Sequence, residues 1–263
     1  MKSVEKIIRD IKSVKIQGAD NIAIAGIEAY LKNPSDKIKN EILNARPTEP
    51  LLQNSLNKIS ESKDKKKTAK SLIKFINSSK KKTAKAGAKL IKQNTTVFTH
   101  CHSSNVISIL KEAKKQGKKF KVHTLEVEPL LQGRMTAKDL AKAKIKVTVF
   151  PDLAAEQAMK GCDIFLFGVD AFTKKGLANK IGTKILCSIA KAKRIKRYSC
   201  GNSLKLTKRL KIEKRKGREV WDERNKNISV KNPAFDFVPR KLLTGVISEF
   251  GVLTFKQFIK KAK

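Results

Sequence analysis

The spacing of apolar residues changes near residue 94 of this 263-residue chain. Before that point apolar residues recur every three or four positions, as at Val4, Ile7 and Ile11, which predicts helices alone. After it, short β-branched and aromatic runs alternate with helical segments. The runs that we interpret as strands are TTVFTH (95–100), FKVHTLEV (120–127), KVTVF (146–150), DIFLFGV (163–169), RYSC (197–200) and GVISEFGVL near the C-terminus.

Apolar strands that alternate with helices are typical of a parallel sheet with helices on both faces. We therefore predict an α/β fold. An N-terminal helical domain, residues 1–93, is expected to precede a Rossmann-like parallel sheet domain, residues 94–263.

Three local patterns add detail to this prediction. Asp20 or Asn21 is expected to cap a helix that runs through Tyr30. The apolar spacing within residues 61–92 predicts a pair of helices. The pattern Thr136-x-x-Asp139 is typical of a capping box and predicts the start of a short helix there.

The chain is strongly basic, with 60 Lys and Arg against 23 Asp and Glu, a net charge of +37. Residues 61–92 carry 12 lysines against 2 acids, and residues 191–218 carry 13 basic residues against Glu213. These blocks fit either a surface that binds the phosphates of RNA or the lysine-covered outer faces of core helices. Trp221 and only two tyrosines argue against stacking on single-stranded bases.

No apolar run is long enough to cross a membrane, and no apolar leader follows the N-terminus, so we expect a cytoplasmic protein. Four cysteines occur without a C-x-x-C pair, which predicts free thiols and no metal site: Cys101, Cys162, Cys187 and Cys200. His100 and His102 are expected to face away from Cys101 if all three lie in a strand. No G-x-G-x-x-G follows the first strand, so no cofactor is expected.

Two reactive side chains follow predicted strands, where doubly wound sheets bind ligands. Cys101 ends the first strand at the start of a helix, whose N-terminus is expected to lower the thiol pKa. Asp170 follows DIFLFGV, and Asn179 and Lys180 come soon after. Together they indicate an acid–base site for a phosphorylated small molecule, although singly Asp170 fits a turn residue and Cys101 a half-buried core thiol.

Several motifs occur in a fixed order along almost the whole chain. They are KIQGA (15–19), ARPT (45–48), FTHCHS (98–103), LLQGRMTA (130–137), FGVDAF (167–172), NKIGT (179–183) and NPAFD (232–236). Together they resemble the superfamily of initiation factor 2B and methylthioribose-1-phosphate isomerase. THCHS and NPAFD look most like its archaeal ribose-1,5-bisphosphate isomerase branch.

The resemblance implies conversion of ribose-1,5-bisphosphate to ribulose-1,5-bisphosphate in archaeal AMP degradation. Cys101 and Asp170 would then be catalytic, a pair that the regulatory initiation factor subunits generally lack. The residues that would bind substrate are Gly18, Ala19, Arg46, Asn179, Lys180 and Lys205. Two family arginines are absent, because Gln17 and Glu128 stand in their places. Either Arg134 or a surface lysine compensates for them, or the chain binds its substrate less tightly, takes a substrate with fewer phosphates, or has changed its activity.

The resemblance also implies a homodimer or homohexamer, with AMP as a candidate activator. The alternative function is a non-catalytic regulatory protein, similar to initiation factor 2B, that binds a nucleotide without turnover. A third hypothesis, an RNA-associated protein, rests on charge alone.

Overall fold

A computed structural model describes residues 3–212 and 215–263. Helices account for the regular structure of residues 3–90, as the apolar spacing predicts. They are α1 (Val4–Lys12), α2 (Ala19–Lys32), α3 (Asp36–Ala45), α4 (Pro50–Ser60) and α5 (Lys65–Ala88).

A seven-stranded sheet follows, in the order β10-β9-β7-β4-β1-β2-β3. Its strands are β1 (Thr96–His100), β2 (Lys121–Leu125), β3 (Lys146–Phe150), β4 (Ile164–Phe167), β7 (Lys196–Cys200), β9 (Gly245–Ser248) and β10 (Gly251–Leu253). All pairs are parallel except the edge pair β9–β10. The predicted α/β fold with a mostly parallel sheet is therefore confirmed.

Helices cover both faces of this sheet. They are α6 (Ser104–Lys115), α7 (Gln132–Lys142), α8 (Ala155–Ala158), α9 (Thr183–Ala192) and α10 (Phe255–Ala262). Side chains alternate along the strands, so Val97 joins the core under α5, α6 and α7, whereas Phe98 joins the core under α8, α9 and α10. Within the described residues, no helix is both long enough and apolar enough to cross a membrane.

The structure corrects three local predictions. Residues 65–88 form the single helix α5 rather than a pair, because its buried positions continue along one face. Helix α2 begins at Ala19 with Gly18 as its cap, so Asp20 lies in the first turn. Thr136 lies inside α7, four residues after that helix begins, and its buried hydroxyl bonds to other parts of the chain.

A second sheet of three antiparallel strands was not predicted. Its order is β5-β6-β8, with β5 (Ala171–Phe172), β6 (Gly176–Lys180) and β8 (Phe235–Pro239). This sheet places Asn179 and Lys180 at the end of β6.

Helix α5 packs in two cores. Ala69, Leu72 and Ile76 belong to the core of the N-terminal helices. Ala88 and the following Ile91 belong to the core beneath the sheet. A boundary between two domains at residue 93 stays a prediction.

Candidate active site

All eight residues that the sequence predicts for the site line one cavity at the carboxyl ends of β1 and β4. They come from the N-terminal helices and from both sheets: Gly18, Ala19, Arg46, Cys101, Asp170, Asn179, Lys180 and Lys205. Parallel strands end at the same edge, and this edge is where α/β folds bind ligands. The N-terminal helices close the other side of the cavity.

Cys101 lies directly after β1 with a positive φ of 65°, a backbone conformation that is uncommon for residues other than glycine. Its carbonyl oxygen accepts a hydrogen bond from Thr136 Oγ1 at 2.8 Å. Ser103 caps α6 two residues later. A strand end, a helix start and a bond to α7 therefore fix the position of this thiol.

The expected fall in the Cys101 pKa is wrong. Burial raises the pKa of this thiol to about 11, and the negative charge of Asp170 adds to the rise. The hydrogen bond with the His102 backbone and the charge of Lys180 lower the pKa, but by less. A thiolate loses its hydration in this cavity, so Cys101 is a protonated thiol at neutral pH.

The two histidines line the same cavity as Cys101, against the expectation that they face away from it. The strand ends at His100, so strict alternation does not extend to Cys101 and His102. The Nε2–H of His100 donates to the carbonyl of Ile181 at 2.9 Å, because a carbonyl can only accept. Burial lowers the pKa of His100 to about 4, so the ring is neutral.

His102 connects Cys101 to α7. Its Nδ1 lies 3.1 Å from Thr136 Oγ1, and Thr136 gives its own hydrogen to the Cys101 carbonyl. His102 Nδ1–H therefore donates to Thr136. His102 Nε2 lies 3.9 Å from Asp139 Oδ2. Asp139, His102 and Thr136 thus form a chain of polar contacts that ends at the Cys101 backbone.

Asp170 follows β4, and its backbone N–H donates to the carbonyl of Ala178 in β6 at 3.0 Å. Asn179 Nδ2 donates to Thr183 Oγ1 at 3.0 Å. Lys205 is buried, and its Nζ donates to the carbonyl of Val169, next to Asp170, at 2.6 Å. The small sheet and Lys205 therefore hold the loop that carries Asp170.

Gly18 and Arg46 bring the N-terminal helices to the cavity. Gly18 has a φ of 83° and caps α2 without a side-chain hydrogen bond, so the first N–H groups of α2 face the cavity region near Ala19. Arg46 is the C-cap of α3, and its Nη2 lies 3.6 Å from Oε1 of Glu49, which also lines the cavity. A helix N-terminus beside an arginine is suited to a phosphate.

The absent arginines have different consequences at their two positions. Gln17 lines the cavity, whereas the exposed Glu128 is not among the lining residues. Arg134 pairs with Glu126, so it does not compensate for Glu128. An unpredicted arginine, Arg215, does line the cavity.

Arg215 lies in the irregular segment between β7 and β8, where no periodic pattern could reveal it. Its guanidinium is held by Glu219, with Nε–Oε2 and Nη2–Oε1 distances of 3.1 and 2.6 Å. Among the described residues, the cavity is lined by the cationic side chains of Arg46, Lys180, Lys205 and Arg215 and by the carboxylates of Glu49 and Asp170. The excess of positive charge favours an anionic ligand.

The other three cysteines are buried free thiols, as predicted: Cys162, Cys187 and Cys200. Within the described residues, no group of three His, Cys, Asp or Glu side chains is arranged to hold a metal ion.

Comparisons with known proteins agree with this fold. The model of the initiation factor 2 subunit family matches residues 15–255. Ribose 1,5-bisphosphate isomerase of Methanocaldococcus jannaschii is 33% identical, over 96% of this chain and 92% of that protein. A Pyrococcus furiosus protein described as translation initiation factor eIF-2B subunit 2-like is 30% identical, over 95% of this chain and 96% of its own length. A solved translation initiation factor eIF-2B of Pyrococcus horikoshii superposes with a TM-score of 0.87 at 27% identity, over 97% of this chain and 98% of the other.

Proposed function

This chain belongs to the initiation factor 2 subunit family, and from that premise we propose that it is an aldose–ketose isomerase acting on a sugar with a phosphate on its anomeric carbon. The substrate we propose is ribose-1,5-bisphosphate and the product ribulose-1,5-bisphosphate. The observation that carries the proposal is that Cys101 and Asp170 line one cationic cavity. Four isomerases of this specificity, from different organisms, are 32–33% identical over 96% of the chain.

The reaction moves two protons overall, one from C2 to C1 and one from the C2 hydroxyl to the ring oxygen. The phosphate on C1 keeps the ring closed, so the C2 proton leaves as the bond from C1 to the ring oxygen breaks. A C1=C2 double bond forms, and the ring oxygen gains a proton. The resulting enol loses its C2 hydroxyl proton and gains a proton at C1, which balances the isomerisation without an oxidant.

We assign the protons of the ring oxygen and hydroxyls to Asp170, and the proton exchange near C1 and C2 to Cys101. Burial keeps the Cys101 thiol protonated in the resting site, so Cys101 first passes its proton to the Asp170 carboxylate, and the resulting thiolate takes the C2 proton and returns it to C1. Asp170 gives the proton it received to the ring oxygen, then takes the proton of the C2 hydroxyl and returns it to Cys101, which restores the resting site. His100 stays neutral, because burial lowers its pKa to about 4. An alternative mechanism moves hydrogen directly from C2 to C1 as hydride.

Phosphate binding follows from the cationic residues of the cavity. Gly18 and Ala19 offer backbone N–H groups at the start of α2, and Arg46 offers a fork of donors beside them. Asn179, Lys180 and Lys205 would hold the sugar hydroxyls and the second phosphate. Arg215 supplies a guanidinium that we infer replaces one of the missing family arginines.

The family resemblance alone supports the wider context of this proposal. AMP breakdown would supply the substrate, AMP would act as activator, and the cytoplasmic enzyme would assemble as a homodimer or homohexamer.

The test is turnover of ribose-1,5-bisphosphate by the purified full chain in heavy water. We expect Cys101→Ser and Asp170→Asn each to lower kcat by about 10²–10⁴-fold. The matched controls are Cys162→Ser, a buried thiol outside the cavity, and Asp222→Asn, an exposed acid. Deuterium at C1 of the product indicates proton transfer with solvent exchange, whereas its absence is expected both for a hydride shift and for a proton that Cys101 carries from C2 to C1 without exchange. No turnover by the unaltered protein would overturn the proposal.

A second candidate function is regulatory nucleotide binding without turnover. It is favoured by the 30% identity to the subunit 2-like protein of Pyrococcus furiosus and by its matching length. Calorimetric titration with AMP separates the two functions, since binding of AMP without turnover of either phosphorylated sugar, ribose-1,5-bisphosphate or methylthioribose-1-phosphate, would support the regulatory one.

A further inference from the structure

The positive charge of this chain far exceeds what a sugar-phosphate cavity uses. The basic block at residues 191–218 is dispersed, because Lys205 and Arg215 line the cavity while Lys191 and Lys196 lie at the end of α9 and the start of β7. Most of the block at residues 61–92 instead forms α5 (Lys65–Ala88), so most of its lysines lie on one helix. Part of α5 packs beside α6 and forms a groove.

We call this groove the lysine groove. Its lining residues on α5 and α6 are Asn77, Lys80, Lys81, Ala84, Lys85, Ser108, Lys111, Glu112 and Lys115. They recur at intervals of three and four, so each helix presents one continuous face. Small residues form the floor, because Ala84 is buried and a Cβ on nearby Gly87 would lie 2.6 Å from Ile109.

The charges of the lysine groove are largely uncompensated. Lys80 lies 4.0 Å from Asp20, and the carboxylate of Glu112 accepts from Gln116 at 2.9 Å. The other four lysines are exposed and, among the described residues, have no carboxylate within 4.0 Å: Lys81, Lys85, Lys111 and Lys115. Like charges this close repel one another, so the groove is stabilised by any polyanion that binds there.

We propose that the lysine groove binds the phosphate backbone of a nucleic acid duplex without sequence specificity. The α5 face from Asn77 to Lys85 spans about 12 Å, at about 1.5 Å per residue. A duplex presents about seven phosphates over that length, comparable with the five lysines. None of the described residues that line the groove is aromatic, so these residues form no stacking surface of the kind that single strands require.

The test is fluorescence anisotropy of a labelled DNA duplex of about 20 base pairs, titrated with the full chain between about 50 and 200 mM KCl. The variant replaces Lys81, Lys85, Lys111 and Lys115 by Ala. If all four lysines contact phosphates, the negative slope of log affinity against log salt is less steep in the variant by about 3.6. The unaltered protein then loses about 150-fold more affinity than the variant over this salt range.

The matched control removes the same charge from the opposite face of the sheet. It replaces four exposed lysines of α9 and α10 by Ala: Lys191, Lys256, Lys260 and Lys261. We expect the slope of log affinity against log salt for this variant to differ from that of the unaltered protein by no more than one phosphate contact contributes, which is about 0.9. If the slope becomes less steep by the same amount in both variants, binding depends on the overall charge of the protein and not on the lysine groove, which overturns the proposal. Absence of duplex binding at the lowest salt would also overturn it.

An RNA duplex of the same sequence distinguishes the source of the phosphates. Tighter binding of RNA at matched salt identifies RNA as the ligand, and equal binding leaves the shared phosphate backbone as the feature recognised. Isomerase turnover measured in parallel keeps this proposal separate from the proposed function, since none of the four lysines lines the catalytic cavity.

Discussion

Thr136→Val removes one hydroxyl and nearly preserves the shape of the side chain. Thr136 is buried in α7 and donates to the Cys101 carbonyl at 2.8 Å, and it accepts from His102. The substitution leaves both groups without this partner. Because Cys101 has a positive φ, we expect its backbone to relax once the bond is lost.

The magnitude follows from the groups left unpaired. An unsatisfied donor or acceptor costs about 1–3 kcal/mol, and the half-buried Cys101 places this case at about 1–2 kcal/mol. A chain of this size loses about 2–4 °C in Tm per kcal/mol, so Tm should fall by about 2–8 °C. A shift of the thiol by about 1 Å should lower kcat by about 10²-fold.

The assay measures kcat and KM for ribose-1,5-bisphosphate beside thermal unfolding. Thr136→Ser is the matched control, because it loses a methyl group but keeps the hydroxyl, and it should restore most of kcat. KM should change much less than kcat, since Thr136 does not line the cavity. If Thr136→Ser loses as much kcat as Thr136→Val, the hydroxyl does not position Cys101 and the reasoning fails.

Three further predictions concern the buried groups and the tight packing around them. The folded-state pKa of His100 is lowered from 6.5 to about 4. The neutral ring therefore contributes to the free energy of unfolding in full above pH 6.5, and this contribution is lost as the pH falls to about 4. In urea unfolding, the free energy of unfolding of the unaltered protein should therefore fall by about 3 kcal/mol more over this pH range than that of His100→Gln. Equal losses in the two proteins would contradict this prediction. Alkylation of Cys101 by iodoacetamide, followed by mass spectrometry, should rise about tenfold per pH unit until about pH 11, and a plateau near pH 9 would show an ordinary thiol. Gly133→Ala should cost at least about 3 kcal/mol in urea unfolding, since its Cβ would lie 1.6 Å from the Leu125 carbonyl. Gly26→Ala, whose Cβ would meet side-chain methyl groups of Leu52 and Ile42 rather than backbone, should cost clearly less, and a similar loss in both would refute the clash.

The fold could be predicted because the apolar period is a local signal. TTVFTH and DIFLFGV are buried strands whose ends are adjacent in the sheet, which brings the segments after them together. The placement of Cys101 near Asp170 thus follows from two strand ends. The small sheet escaped prediction because β5 has only two residues, Ala171 and Phe172, and pairs with β6 through a turn.

Thr136 and Arg215 show what local patterns miss. Thr136 with Asp139 has the spacing of a capping box, yet α7 begins four residues earlier and the hydroxyl bonds to Cys101. Its partner is 35 residues away in sequence, so only the tertiary position of α7 beside the segment after β1 could reveal the bond. Arg215 reaches the cavity from an irregular segment, where its position depends on Glu219 and on tertiary contacts.

The error over the Cys101 pKa has a physical reason that also bears on catalysis. A helix start lowers a thiol pKa only when the thiolate is oriented toward free N–H groups, and Ser103 already bonds to the N–H of Val106. Burial then dominates and keeps Cys101 neutral, as it keeps His100 neutral. The cavity thus combines fixed cations, which suit phosphates, with neutral groups that can exchange protons. An anionic substrate would oppose a thiolate further, so Cys101 should act first as an acid, and the pH profile of kcat should lack a rising limb near pH 8.5–9 from this thiol.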